Sequence, residues 1–477
     1  MTATSSLAAC VSQPPDSVGA IGPFRTAFMA ERPFGAAVSP RVGTAEAHVK
    51  LSAVGSLRDE AAERAPGRLV VRTVPVADPG DLIARLPRPD ALAWVRRGDG
   101  MVGWGCAARV VLPAGQDRFA AGEKWLREII DGARTDDRVG VPGTGLVAFG
   151  SFTFDPVSDG SVLVVPRSIL GRRRGTAWLT TITPEGEREL AGDLAGALPL
   201  TPPTGVRWAD GSLTAPAWER AVASAIDAIR AGELRKVVLA MELNATATRE
   251  IDARVLLARL AGRYPDCYTF ACDGLVGATP ELYIRRTGRR LYSLVLAGTM
   301  PRGPTPELDQ ALGATLLGSP KDRDEHQYAV TDVRSALQPL CGDLRVSEPF
   351  LLRLANVQHI ATRVHGRLAD GEAAHHSALA VAAALHPTAA VCGTPAEAAM
   401  DLIRELEGMD RARYAGPVGW VDGRGNGEWG IALRCGQLAG RSARLVAGCG
   451  IVAESDPPAE LAEALAKFWP MRYALEG

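Results

Sequence analysis

Apolar and polar positions follow two rhythms along the 477 residues. From about residue 68 to 190, short apolar runs such as "RLVVRTV", "ALAWVRR", "GLVAFGSFTF", "SVLVVPRSI" and "TAWLTTI" are separated by turn residues, the pattern of strands joined by loops. One interruption, "RFAAGEKWLREIIDGAR", has helical spacing and predicts an amphipathic helix. After a connector at "TPPTG", near residue 203, helix and strand runs interleave to the C-terminus. There "APAWERAVASAIDAIRAGEL" sets Trp218, Val222, Ile226 and Ile229 on one helical face, and "RKVVLAMEL" follows as a strand. Residues 1 to about 65, rich in Ala, Ser, Gly and Pro, keep no period and predict a loose N-terminal arm, leaving 66–477 for the folded part. No repeat period stands out. The rhythms predict an α+β architecture built on large antiparallel sheets rather than a doubly wound parallel one.

Composition narrows the role. Length alone suggests two or three domains, and 47% hydrophobic content supplies a substantial core. With 53 basic and 54 acidic residues the formal charge is −1, so no long-range field points to nucleic acid or an anionic membrane, and a small-molecule substrate becomes the expectation. No run of about 18 apolar residues appears, and the start "MTATSSLAACVSQPPDS" lacks a basic stretch followed by a hydrophobic block. Neither a membrane span nor a signal peptide is therefore expected. The eight cysteines are scattered without C-x-x-C pairs, which fits reduced thiols in a cytoplasm.

Several charged residues sit in unusual places. In "LLGSPKDRDEHQYAV", Glu325 lies one turn before Ala329 on a stripe that continues through Val330, Val333, Ala336, Leu337 and Leu340. A carboxylate facing inward needs an arginine, a hydrogen-bond cage or a metal ion. In "GIVAESDPPAELAEALAKFW", Ser455 is a candidate cap, Asp456 suits the first turn and Pro457 the first helical position. Glu460, Glu463 and Lys467 follow beside an apolar stripe of Leu461, Leu465 and Phe468. Spacing alone reads them as a solvated salt-bridge face, or as carboxylates opposite Glu325 of the kind Mg²⁺ uses with water and an anionic substrate.

If "EWGIALRCGQL" is one strand, Ile431, Leu433 and Cys435 face one way and Ala432, Arg434 and Gly436 the other, leaving Arg434 free to clamp a carboxylate or to form a structural ion pair. Gly448 and Gly450 in "VAGCGIV" could bring backbone N–H groups close to an anion, or simply pack a tight strand. Lys236 and Glu281 each open a strand. Both could be ordinary surface residues; facing one pocket, burial would favour the neutral form of each and make them a base and acid pair. His359 and His386 are candidate bases or satisfied core histidines.

"LRKVVLA", "GATPELYI", "LAGT", "SPKDRDEH", "VQHIATRVHG", "HPTAAVCGTP", "YAGPVGW", "NGEWGIALRC" and "AGCGIVAESDPPAELAEALAK" occur in the order and spacing of the chorismate-utilising enzymes. The chain resembles that family, which contains anthranilate, aminodeoxychorismate, salicylate and isochorismate synthases, strongly over 215–470 and more weakly back to about 90. The resemblance implies one large α+β domain, two antiparallel sheets packed face to face with helices outside, in place of the several domains suggested by length. It also implies Mg²⁺ as cofactor, held by Glu325 and Glu463 with Glu460 nearby. Arg434, Tyr414 and the Gly448 to Gly450 backbone resemble groups that hold the pyruvyl carboxylate, with Lys467 close by. Gly298, Thr299, His359, Ala390 and Leu433 are expected to line the ring. One departure, Pro320 in "SPKD" where several relatives place glutamate, has no account in the sequence.

Within the resemblance, Lys236 stands where ammonia-using members carry Gln, which implies water as the nucleophile. No glutaminase segment is found, so no glutaminase subunit is expected; no "LLES"-type tryptophan-binding motif is found either, and the chain is expected to act as a monomer. The implied reaction is conversion of chorismate to isochorismate, with Lys236 as base and Glu281 as acid. Ala390 matches the isochorismate-forming pattern, while Tyr414 and Leu433 resemble that of the lyases that continue to salicylate. A catalytically silent, partner-binding member is the third alternative. Whether the product feeds siderophore, menaquinone or another pathway is left open.

Overall fold

The short apolar runs pair edge to edge into two large sheets in the computed structural model, which describes residues 68–187, 198–354 and 357–477. The expected N-terminal arm over 1–65 lies outside the described residues. The first sheet, of 13 strands, carries Lys236–Thr246, Ser442–Ile451, Cys435–Ala439, Leu275–Thr279 and Tyr268–Cys272 side by side in its C-terminal half. The second, of 10 strands, has Val357–Leu368, Arg290–Pro301, Leu282–Thr287, Gly427–Ile431 and Pro417–Asp422 at its centre.

Pairing is antiparallel except between Leu69–Pro75 and Arg134–Asp137. Those two run parallel because the long connection between them, which includes the helix Arg118–Gly132, brings the chain back in the same direction. One apolar cluster includes residues of both sheets, so the described residues share a core and the several domains suggested by length do not appear. At the junction Trp94 of the first sheet rests on Gly430 of the second, whose absent side chain leaves room for the indole, and Trp94 Nε1 donates to Glu428 Oε2 at 2.8 Å.

Helices cover the sheets by the faces the spacing predicts. Ala215–Arg230 buries Trp218, Val222, Ile226 and Ile229, and Pro320–Leu337 buries Ala329, Val330, Val333 and Leu337. In the latter, Ser319 caps the helix by accepting from Asp322 N, and Pro320 takes the first position, where its missing N–H has no cost. That accounts for the proline in "SPKD". Thiols of Cys267, Cys272, Cys392 and Cys435 are pushed up to about 12 by burial, so they pack as small apolar groups without ready thiolate chemistry.

Candidate active site

A cavity of about 110 Å³ opens where the two sheets meet the helices Pro320–Leu337 and Pro457–Lys467. Its first wall is the pair of strands Lys236–Thr246 and Ser442–Ile451, with Val238 opposite Gly450 and Ala240 opposite Gly448. Lys236 is fully buried, and its Nζ lies 3.0 Å from Glu325 Oε1. The two are in charge contact but not aligned as a hydrogen bond, which leaves Lys236 N–H groups unfilled. Gly450 makes this pair possible: a Cβ there would meet Glu325 Oε1 at 2.4 Å and Lys236 Cε at 3.0 Å. Glu325 therefore turns inward to face the Lys236 side chain and the cavity, and Lys236 reaches the cavity across it rather than lining it.

The second wall comes from Leu282–Thr287 and Arg290–Pro301. Glu281, just before the first of these strands, is buried, and loss of water around it pushes its carboxyl up to about 8 against the pull of Lys236 and Arg434. It is therefore protonated at neutral pH. A bulge between Ala297 and Thr299, with Gly298 at φ 73°, turns Gly298 and Thr299 into the cavity. Thr299 Oγ1 is hydrogen-bonded to His359 Nδ1 at 3.0 Å. Burial, helped by the Arg434 charge, pushes His359 down to about 3, so the ring is neutral, and its Nε2 has no partner among the described residues.

Arg434 reaches the site by a route that strand alternation does not predict. "EWGIALRCGQL" is not one strand: Gly427–Ile431 belongs to the second sheet and Cys435–Ala439 to the first, and the chain crosses between them. Arg434 sits in the crossing with φ 50°, a left-handed conformation, and its carbonyl accepts from Ala278 N. Freed from alternation, Leu433 and Arg434 both line the cavity.

The third wall is the helix Pro457–Lys467. Asp456, not Ser455, is its cap, accepting from Ala459 N at 3.1 Å, while Ser455 Oγ accepts from Val452 N. The expected apolar stripe is also displaced: Glu460 and Ala464 are buried, Leu461 is half-buried and Leu465 is exposed. The helix is rotated so that its carboxylates face the cavity. Lys467 Nζ lies 2.7 Å from Glu463 and donates to Gly448 O at 2.8 Å, tying the helix to the strand floor. Burial opposes both charges, yet Lys467 holds Glu463 below its ordinary value and Glu463 keeps Lys467 above its own.

Glu325, Glu460 and Glu463 each meet a lysine, Lys236, Lys321 and Lys467 in turn, at 3.0, 3.0 and 2.7 Å. Asp322 joins them, its carboxyl raised by burial and by the negative charges of Glu325 and Glu463. Among the described residues no group of three or more metal-binding side chains is already gathered. The donors lining the cavity are nonetheless carboxylate oxygens, the kind a hard cation takes, so the residues fit Mg²⁺ held by few protein ligands, with Glu325, Glu460 and Glu463 each ion-paired to a lysine in its absence.

The cavity thus brings together Glu281, Gly298, Thr299, Glu325, His359, Ala390, Tyr414, Leu433, Arg434, Gly448, Gly450, Glu460, Glu463 and Lys467, with Lys236 behind Glu325. His386 is elsewhere: its Nε2 bonds Phe154 O at 2.8 Å, and its ring packs between Phe119 and Phe154. Lys321, Asp322 and Arg411 also line the cavity without having been singled out. The first two stand in "SPKD", four and three residues before Glu325 and so about one helical turn from it, a proximity that could have marked them. Arg411, bonded to Val238 O and Val391 O and paired with Glu407, gives no such signal in the sequence.

Comparison with known proteins finds relatives of this chain. The family model described as chorismate binding enzyme matches residues 68–476. A Mycobacterium tuberculosis protein assigned as isochorismate synthase MenF is 42% identical over 347 residues, covering 70% of this chain and 87% of that protein. Isochorismate synthase DhbC of Bacillus subtilis is 40% identical over 270 residues, covering 54% of this chain and 67% of the relative. Among solved structures, MenF, the menaquinone-specific isochorismate synthase of Escherichia coli, superposes with a TM-score of 0.70 at 27% identity, over 86% of this chain and 95% of that one.

Proposed function

The chain belongs to the chorismate-binding enzyme family, and from that premise we propose that it is an isochorismate synthase, converting chorismate to isochorismate with Mg²⁺. The observation that carries the reading is Glu281, a buried carboxyl pushed up to about 8, in one cavity with Arg434, Lys467 and the acidic cluster. A carboxyl protonated at neutral pH can donate to a departing hydroxyl.

Arg434 and Tyr414, with the backbone of Gly448 to Gly450, hold the pyruvyl carboxylate of the substrate. Gly298, Thr299, Ala390 and Leu433 enclose the ring, and His359, neutral and braced by Thr299, offers its open Nε2 as a hydrogen-bonding partner. Lys236 takes a proton from the water that attacks ring carbon 2, while Glu281 gives its proton to the hydroxyl leaving carbon 4 and the double bonds shift between them. Glu325 and Glu463, with Glu460 beside them, would hold Mg²⁺, which when bound supplies positive charge against the ring carboxylate. Lys467 anchors Glu463 and the Gly448 carbonyl, fixing the metal-binding side against the anion-binding side.

Incubating the pure protein with chorismate and Mg²⁺ and separating the products tests the reading. Isochorismate alone is expected. Salicylate with pyruvate would make it the lyase, a reading favoured by Tyr414 and Leu433, and unchanged chorismate would make it a silent member.

A further inference from the structure

Glu281 and Ala390 line a second cavity as well as the first, forming the partition between the two. The second measures about 10 Å³, about the room one water molecule needs. Tyr283 and Thr388 line it too, 3% and 2% exposed. Neither the Tyr283 hydroxyl nor Thr388 Oγ1 makes a well-formed hydrogen bond, although each is sealed from solvent and the two lie close enough to act on each other. Two sealed hydroxyls without a well-formed hydrogen bond would forfeit up to about 1–3 kcal/mol each if the cavity were dry. Beyond them the half-buried Asp332 lies near enough for its charge to act on Tyr283, and its Oδ2 accepts from Ala389 N at 2.7 Å.

We propose that this second cavity holds one water molecule that joins the Tyr283 and Thr388 hydroxyls to the Glu281 carboxyl and, through Asp332, returns a proton to that carboxyl after each turnover. The inference rests on the proposed role of Glu281 as acid. In that reaction the Glu281 O–H bond breaks as the carbon 4 to oxygen bond breaks, and the proton leaves within the water released. The carboxylate is reset when the cavity water gives it a proton and takes one from a neighbouring hydroxyl, which is replenished from Asp332 and the solvent at its exposed side. The proton gained by Lys236 passes to solvent, so one enters for each that departs and no electrons move. Glu281 thus faces substrate on one side and its supply on the other. Tyr283, Thr388 and Asp332 are positioning residues, since none of them lines the substrate cavity.

Two measurements decide it. A high-resolution crystal structure of the wild-type protein is expected to show one ordered water bonded to Tyr283, Thr388 and Glu281; a dry cavity overturns the proposal. In turnover, Tyr283→Phe with Thr388→Val is expected to lower kcat by about tenfold to a hundredfold with KM for chorismate unchanged, and Tyr283→Phe with Thr388→Ser to recover much of it. Unchanged kcat in the double variant, or no better turnover with Ser than with Val at position 388, overturns it. A wild-type protein that converts no chorismate would sink the functional reading instead, and the crystal would still decide whether the water is there.

Discussion

Replacing Glu281 by glutamine removes an ionisable group with little change of shape, and the structure sets what should follow. A carboxyl moved from its ordinary 4.5 to about 8 by burial makes ionisation costly in the folded chain alone. At about 1.4 kcal/mol per pH unit, the displacement amounts to about 5 kcal/mol. Below 4.5 both folded and unfolded chains hold the proton, and Glu281 contributes its full stability. Between 4.5 and 8 the unfolded chain has lost its proton while the folded chain keeps it, so stability declines as pH rises and levels off above about 8. Glutamine carries no such term. The difference between Glu281→Gln and wild type should therefore shift in favour of the variant by about 2 kcal/mol at pH 6 and about 5 kcal/mol at pH 9, relative to pH 4. Denaturant unfolding of both proteins across that range measures it. Turnover should move the other way: glutamine cannot donate the proton, so kcat should fall by ~10²–10⁴, and wild-type activity should fade as pH rises through about 8. A variant with normal turnover, or a stability difference flat from pH 4 to 9, would refute the assignment of a buried protonated acid.

Other substitutions probe the remaining walls. Lys236→Ala should lower kcat by ~10²–10⁴ with the circular dichroism spectrum unchanged; near-normal turnover removes Lys236 as the base. Glu463→Gln should raise the Mg²⁺ concentration for half-maximal activity by about tenfold or more, and an unchanged Mg²⁺ titration would exclude Glu463 as a ligand. Gly450→Ala places a methyl 2.4 Å from Glu325 Oε1, so turnover should drop by about a hundredfold at a stability cost of about 1–3 kcal/mol. Full activity in that variant would mean that the Lys236 and Glu325 contact is not needed.

Much of the sheet framework could be read from the chain because apolar runs and turn residues act locally, and the faces of Ala215–Arg230 and Pro320–Leu337 follow from spacing alone. The site was legible mainly through the resemblance. By position Lys236 and Glu281 are strand-end residues, and only tertiary packing shows both to be buried. Alternation failed at Leu433 and Arg434 because a left-handed residue at a crossing between sheets depends on partners distant in sequence, such as Ala278. The helix Pro457–Lys467 misled for a related reason. Its hydrophobic residues outline one face, but Lys321 and the Gly448 carbonyl hold Glu460 and Lys467 inward, leaving Leu465 outside. Tyr283 and Thr388 stood within quoted motifs and went unremarked, since nothing local reveals that a hydroxyl will lack a partner.

The crossing from Gly427–Ile431 to Cys435–Ala439 makes one short segment answerable to both sheets, and Arg434, proposed to hold the substrate's carboxylate, is placed on it. Neither sheet can loosen without moving that guanidinium away from the groups it faces. Loss of activity on heating or in denaturant should consequently coincide with cooperative unfolding of the whole chain rather than precede it, which would make catalytic inactivation a gauge of global integrity.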